Sequence, residues 1–405
     1  MKVLVLAGGA DQLALISVLK ERKCEVILVD YFENPPAKEK SDKHYVVSTL
    51  DIDKVLDIAI KENVDIVTTA CTDQALLTVA KVSECLKKPF YLSYEKALHV
   101  TNKLYMKQIM IENEIPTSNY QILTLQYTNI NPQLKYPLIV KPVDSNSSKG
   151  IKKVNTEKEL DLAISNAASY TRSNEILVEE YIEGTELSVD VFINDEPIIL
   201  SITQTNKIKN KDSFTIYQSR YPVSLSDAEL QTIKSIIKKI CLFFELDKGP
   251  LLVQLIKSDI GIYVIEFSPR MGGGSKYRLI EILSGINIMN SYVDFILKDE
   301  IPEMSVTPFD GCVLMNYIYC KNGILKNIEG LDYLKDRGVV LDYFCYKTKG
   351  MKFSKIENSS DRAAGFVVMA KDEQELCDKL EIANNKIRVL DVNGVDIMEH
   401  KICTL

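Results

Sequence analysis

Histidine is scarce in this chain. Three occur in 405 residues, His44, His99 and His400, far apart in sequence. A His-rich zinc site and a His-based catalytic triad are left with little support. The nine cysteines are scattered, odd in number and without a C-x-x-C pair. That pattern argues for reduced thiols and a cytoplasmic setting over a disulfide framework. No run of about 18 apolar residues exists, so no membrane span is expected. The apolar start, Met1 to Ala7, is broken by Gly8, Gly9 and Asp11, which speaks against a targeting segment. A basic surface is also lacking: the net charge is −7, which argues against a general nucleic-acid binder. No Walker A loop and no complete G-x-G-x-x-G appear.

What is present is ordinary for a globular chain, with 46% hydrophobic and 26% charged residues. The length suggests two to four domains. Strand-like runs at Val3–Leu6, Val26–Val29, 45–47 and 65–69 alternate with helical patterns through Lys20 and over 53–61. Such alternation predicts a parallel, doubly wound sheet over residues 1–95. Gly8-Gly9 with Asp30 admits three readings: a tight strand-to-helix turn, a cofactor loop, or a crevice for a non-nucleotide substrate. A helix is expected within 96–112, and Pro116 with the Thr/Asn/Gln-rich run to Gln133 marks a change of module. Beyond it, strands are expected at 136–142, 176–182, 187–193 and 198–202, with helices at 157–168 and 227–244. Residues 206–213 read as a polar loop, and a further α+β segment runs from Pro302 to the end, with strands at 312–319 and 365–369.

Four short stretches carry chemistry. The first is Val264-Ile-Glu266-Phe-Ser268-Pro-Arg270-Met-Gly272-Gly273-Gly274. A strand delivers an acid, and a neighbouring strand, Leu251 to Val253, ends at Gln254. Two adjacent strands bearing oxygen ligands can hold Mg²⁺ against phosphate. Arg270 offers a fork for a carboxylate or phosphate, and the glycines allow a backbone to approach a ligand. Ser275, Lys276, Tyr277 and Arg278 read equally as substrate contacts or as a plain helix start. The second is Lys141, isolated at the end of Leu-Ile-Val; a lysine there suits a phosphate better than a solvent face. The third, Asp144 to Gly150, can wrap phosphate oxygens or be only a polar loop. The fourth is Glu179-Glu180-Tyr181-Ile182-Glu183-Gly184-Thr185-Glu186. It reads as a solvated acidic edge or as the acceptors that an adenine and a ribose require.

Taken together, Lys141, the Ser-rich loop, Val-Glu-Glu-Tyr-Ile-x-Gly-x-Glu and Glu266-x-Ser-Pro-Arg270 resemble the ATP-grasp superfamily over nearly the whole chain. The pattern is most similar to carbamoyl-phosphate-synthase-like proteins and L-amino-acid ligases. The resemblance implies an α/β and α+β multidomain fold: a Rossmann-like pre-ATP-grasp domain at 1–95, an ATP-grasp domain at 96–300 with a lid at about 116–175, and a C-terminal α+β domain at 301–405. It implies ATP and Mg²⁺ (or Mn²⁺) as cofactors. Lys103, Lys141, Ser147, Ser148 and Gly150 would meet the phosphates, and Glu179, Glu180, Ile182 and Glu186 the adenine and ribose. Gln254, Glu266 and Ser268 would hold the metal. Arg270 would meet the acyl phosphate or substrate carboxylate, with Gly272, Gly273 and Lys276 nearby. Gln254 stands where many relatives carry an acid, and Ser268 where Asn is usual, so the metal count is open.

The implied reaction joins small-molecule carboxylate and amine substrates, probed as amino-acid-like, through an acyl phosphate. Neither nucleic acid nor membrane is expected as a partner; a homodimer is an option the family offers. Two alternatives remain at this point: a bicarbonate-dependent enzyme forming carboxyphosphate, and a non-catalytic ATP-binding protein.

Overall fold

The computed structural model describes residues 1–124, 130–131, 133–145, 149–208 and 214–403, in two compact units. The first unit comprises Met1–Ser118, Ser188–Ser201 and Leu225–Phe309. It opens with four parallel strands in the spatial order Lys43–Val46, Glu25–Asp30, Lys2–Leu6, Ile66–Thr68. Side chains along a strand alternate between faces, and here both faces are covered. Val3, Val5, Val26 and Leu28 pack with Leu15, Ile16 and Leu19 of the helix Ala10–Glu21. Leu4, Leu6, Ile27 and Val29 pack with Val55 and Ile58 of the helix Ile52–Glu62 and Val79 of the helix Asp73–Leu86. Two-sided burial is why these strands read as unbroken apolar runs.

The helix Asp73–Leu86 begins after Thr72, whose side chain makes no capping bond. One local feature departs from the sequence expectation. The single helix expected within 96–112 is two, Tyr94–Thr101 and Lys103–Glu112. Asn102 breaks them: its backbone is extended, and its side-chain oxygen accepts from the Leu104 N–H at 2.8 Å, capping the second helix. The rest of the unit includes the helix Asp227–Phe243, started by a Ser226/Glu229 capping box, and the antiparallel strands Lys248–Ser258 and Gly261–Ser268.

The second unit comprises Asn119–Leu187, Ile202–Ser224 and Asp310–Leu405. One part is a four-stranded antiparallel sheet in the order Tyr120–Thr124, Glu175–Glu180, Leu138–Pro142, Lys152–Val154. Leu138, Val140, Ile176 and Val178 pack on Leu160, Ala163 and Ile164 of the helix Leu160–Ala168. Another part pairs the strands Ile216–Tyr221, Cys312–Ile318, Ala364–Ala370 and Asp342–Cys345 in antiparallel order. Its core includes Leu314, Phe366 and Val368 with Leu376 and Leu380 of the helix Glu373–Lys386. Among the described residues, no single helix is long and apolar enough to cross a membrane.

In the first unit, Tyr292 ties the helix Ile288–Lys298 to the end of the fourth parallel strand. Its hydroxyl lies 2.8 Å from Thr68 Oγ1 and donates to the Thr69 carbonyl at 3.2 Å. Burial pushes this phenol up to about 12. Tyr292→Phe is expected to cost about 1 kcal/mol. The check is a lower denaturant midpoint at unchanged m value.

Candidate active site

In the first unit, Gln254 and Glu266 are direct partners across their two antiparallel strands. Cross-strand partners share a face, so the two oxygen-bearing side chains stand side by side. Glu266 remains 35% exposed, and the Lys103 ammonium lies 3.5 Å from its Oε2. Lys103 is buried at the first position of its helix, where the Asn102 cap fixes the backbone. One turn on, Lys107 is buried too and donates to Thr117 Oγ1 at 2.5 Å and Ser118 Oγ at 2.8 Å. Lys103 thus faces an acid, whereas Lys107 fastens the chain that follows its helix.

The residues present fit a divalent cation of one kind. Among the described residues, no group of three or more His, Cys, Asp or Glu is arranged to hold a metal. Gln254 and Glu266 offer hard oxygen donors but a single negative charge. Such a pair suits Mg²⁺ or Mn²⁺ that takes its other ligands from phosphate and water. Ser268 shares the face of Glu266 by strand alternation, but it is buried and its hydroxyl has no hydrogen-bond partner among the described residues.

Asp73 is the dominant neighbour of Arg270. Arg270 Nε donates to Asp73 Oδ1 at 2.7 Å, Nη2 donates to Oδ2 at 2.6 Å, and Nη1 donates to the Met271 carbonyl at 2.8 Å. The fork is therefore filled by a carboxylate of the chain itself. Burial works to raise the Asp73 pKa, but the charge and hydrogen bonds of Arg270 outweigh it and hold the carboxyl below its ordinary 3.8.

The glycine segment is anchored by two further acids. Asp11 accepts from the Gly274 and Ser275 N–H groups at 3.2 and 2.9 Å and from Ser275 Oγ at 3.1 Å. Buried Asp190 accepts from Ser201 Oγ at 2.8 Å, and its Oδ2 lies 3.8 Å from Lys276 Nζ. The other oxygen, Asp190 Oδ1, has no hydrogen-bond partner among the described residues. A Cβ on Gly272 would come within 2.7 Å of it, whereas one on Gly273 would meet only ordinary contact. In the Gly8-Gly9 loop, the Gly8 N–H donates to Asp30 Oδ2 at 2.7 Å and Phe32 N–H donates to Oδ1 at 2.8 Å. Asp30 thus holds the loop as a turn.

In the second unit, Lys141 and Glu179 lie on the face of their sheet opposite Val140 and Val178, by the same alternation. Both are buried, and Lys141 Nζ is 2.5 Å from Glu179 Oε1. Glu186 is ion-paired with Lys207. Glu180 is engaged at both ends: its N–H donates to the Asn119 carbonyl at 2.9 Å, and its carboxylate accepts from Asn119 Nδ2 and the Lys135 N–H, each at 2.8 Å. Ile182 is half-buried just beyond the strand. Gly150 has φ +73°, a turn conformation that suits glycine, and Tyr170 and Pro142 crowd its Cβ position. Ser147 and Ser148, and residues 209–213 of the expected 206–213 loop, lie outside the described residues. Sequence reasoning did not single out Asp73, Asp190 or Lys207. Each meets its partner through a distant part of the chain or a turn, with no local motif to mark it.

Two outcomes follow from this geometry. Because the folded pKa of Asp73 is depressed, its stabilisation is complete above about pH 4 and is lost as pH falls through the folded value. Asp73→Asn is therefore expected to lower unfolding free energy by about 3 kcal/mol at pH 7, with the gap from wild type closing only below about pH 4. Urea titrations across pH measure it. Gly272→Ala forces a methyl against a buried carboxylate and is expected to cost about 1–3 kcal/mol, read in the same titrations.

Residues 134–277 match the ATP-grasp domain family. The chain is 27% identical over 196 residues to a carbamoyl phosphate synthase large chain of Thermoanaerobacter pseudethanolicus, covering 47% of this chain and 17% of that one. It is 22% identical over 291 residues to an L-arginine-specific L-amino acid ligase of Bacillus subtilis, covering 70% of each. In fold it is similar to the crystal structure of an L-amino acid ligase from Bacillus licheniformis: TM-score 0.80, 21% identity, 96% of this chain and 98% of that one. The matched region spans 58% of an uncharacterized protein of Sinorhizobium fredii and the 17% of the synthase already given. The match over 134–277 and these likenesses agree: residues 134–277 of the chain carry an ATP-grasp domain.

Proposed function

We propose that the chain is an ATP-dependent carboxylate–amine ligase acting on amino-acid-like substrates, with the three-module division at about residues 95 and 300. The observation that carries this reading is the Gln254–Glu266 pair with Lys103 3.5 Å from the acid. It supplies hard oxygens and a cation where a triphosphate with its metal needs both.

In the proposed reaction, a carboxylate oxygen of the first substrate attacks the γ-phosphorus in line. The bond from that phosphorus to the bridging oxygen breaks, giving ADP and an acyl phosphate. The amine then attacks the acyl carbon, loses a proton, and displaces inorganic phosphate as the C–N bond forms. Lys103 and Lys141 hold phosphate oxygens and spread their charge. Gln254 and Glu266 would hold Mg²⁺, which when bound neutralises the charge developing on the phosphoryl group. Ser268 is assigned only a supporting place beside them. Ser147, Ser148 and Gly150 cover the phosphates. Before nucleotide arrives, Glu179 neutralises Lys141. Exchange of that partner for phosphate oxygens frees Glu179 to accept from the adenine amino group. The Glu180 and Ile182 backbones line the ring, and Glu186 accepts from the ribose. Arg270, its fork filled by Asp73, acts on the acyl phosphate as a fixed positive charge. Gly272, Gly273 and Lys276 line the substrate side.

The test is release of ADP and phosphate across pairs of L-amino acids, with and without bicarbonate. Release that needs both a carboxylate and an amine supports the ligase. Release that needs bicarbonate replaces it with the carboxyphosphate reading, and ATP binding without turnover on any pair overturns catalysis. Glu266→Gln is expected to lower kcat by about 100-fold or more, with a modest loss of melting temperature because the buried Lys103 loses its acid. Lys141→Met is expected to weaken ATP binding about tenfold or more, measured by calorimetry. It is also expected to destabilise the fold by about 3 kcal/mol, since the buried Glu179 loses that cation.

A further inference from the structure

The second unit holds a buried arginine whose fork is not filled. Arg362 is 9% exposed. Its guanidinium carbon stacks 3.7 Å from the centre of the Tyr317 ring, and its Nε donates to Tyr319 Oη at 3.3 Å. The Tyr319 hydroxyl in turn donates to the Ile216 carbonyl at 2.7 Å, which fixes the phenol and points its lone pair at Arg362. The neighbouring acid in sequence does not answer the charge. Asp361 accepts instead from the N–H groups of Glu357 and Asn358, at 2.9 and 3.0 Å, as the cap of its own short turn. No carboxylate lies within ion-pair distance of Arg362 among the described residues, whereas Arg22, Arg172, Arg220, Arg270 and Arg388 each have one.

A guanidinium has five N–H donors. Here the Nε edge and one face are engaged by protein, and among the described residues the two terminal amines have no acceptor. They are not sealed from solvent either, since neither is among the fully buried unpartnered atoms. A polar residue, Ser219, stands on the sheet face of Tyr317. Its strand pairs with that of Tyr317, with Gln218 opposite Asn316 and Ser219 opposite Met315, so alternation places Ser219 and Tyr317 on one face. Ser219 is buried, and its hydroxyl has no hydrogen-bond partner among the described residues.

A desolvated cation with no counter-ion lowers stability and is expected where a ligand supplies the missing charge. We infer that Arg362, framed by Tyr317 and Tyr319, is a receptor for a small carboxylate. The two terminal amines match a planar carboxylate bidentately, and one cation in an aromatic frame matches a monoanion better than a phosphate.

The test uses trifluoroacetate as a carboxylate probe, followed by fluorine NMR line broadening on the full chain without nucleotide. Wild type is expected to broaden the line, and Arg362→Met to lose most of that effect at an unlowered melting temperature, because no native ion pair is broken. Arg362→Lys keeps the charge but loses the fork, so weakened broadening there supports the site even if Arg362→Met melts early. Equal broadening in wild type and Arg362→Lys overturns it, as does a wild-type line that the protein leaves sharp.

Discussion

The Arg270–Asp73 pair is the constraint on which the first unit's candidate site depends. Arg270 leaves the end of the Glu266 strand, and Asp73 opens the helix after the fourth parallel strand. Their bidentate bond fixes both ends at once. The glycine segment begins immediately after Met271, whose carbonyl Arg270 also holds. Removing either charge would leave the other desolvated, so the pair acts as one element.

Much of the fold was legible because it rests on local pattern. Both-face burial makes the parallel strands read as apolar runs, and the capping box at Ser226 marks its helix directly. Gln254, Glu266, Lys141 and Glu179 stood out for a related reason: each is a polar residue set into an apolar strand. The partners of these residues were less legible. Asp73 meets Arg270 across 197 positions and Asp11 meets Ser275 across 264. Nothing local distinguishes such an acid from one on a solvated helix start. The break at Asn102 was hidden because asparagine is tolerated within helical patterns, and only its extended backbone and cap reveal it.

Lysines of similar sequence context divide by what surrounds them. Lys103 and Lys107 are a helical turn apart and both buried, yet one faces Glu266 and the other two hydroxyls. Lys141 sits opposite Glu179 on the sheet face away from the aliphatic core. In each case the ammonium is desolvated but answered by an acid or by hydroxyls.

The bond from Asp11 to the Gly274 and Ser275 amides has a consequence for dissecting the chain. It joins the first loop of the molecule to the glycine segment, alongside Asp73 with Arg270, Thr68 with Tyr292 and Arg22 with Asp294. All four cross from the first 95 residues to positions beyond 265. A shortened gene beginning near residue 96 would not yield a smaller version of the same machine. It would release a protein whose glycine loop had lost its anchor and whose Arg270 had lost its counter-ion.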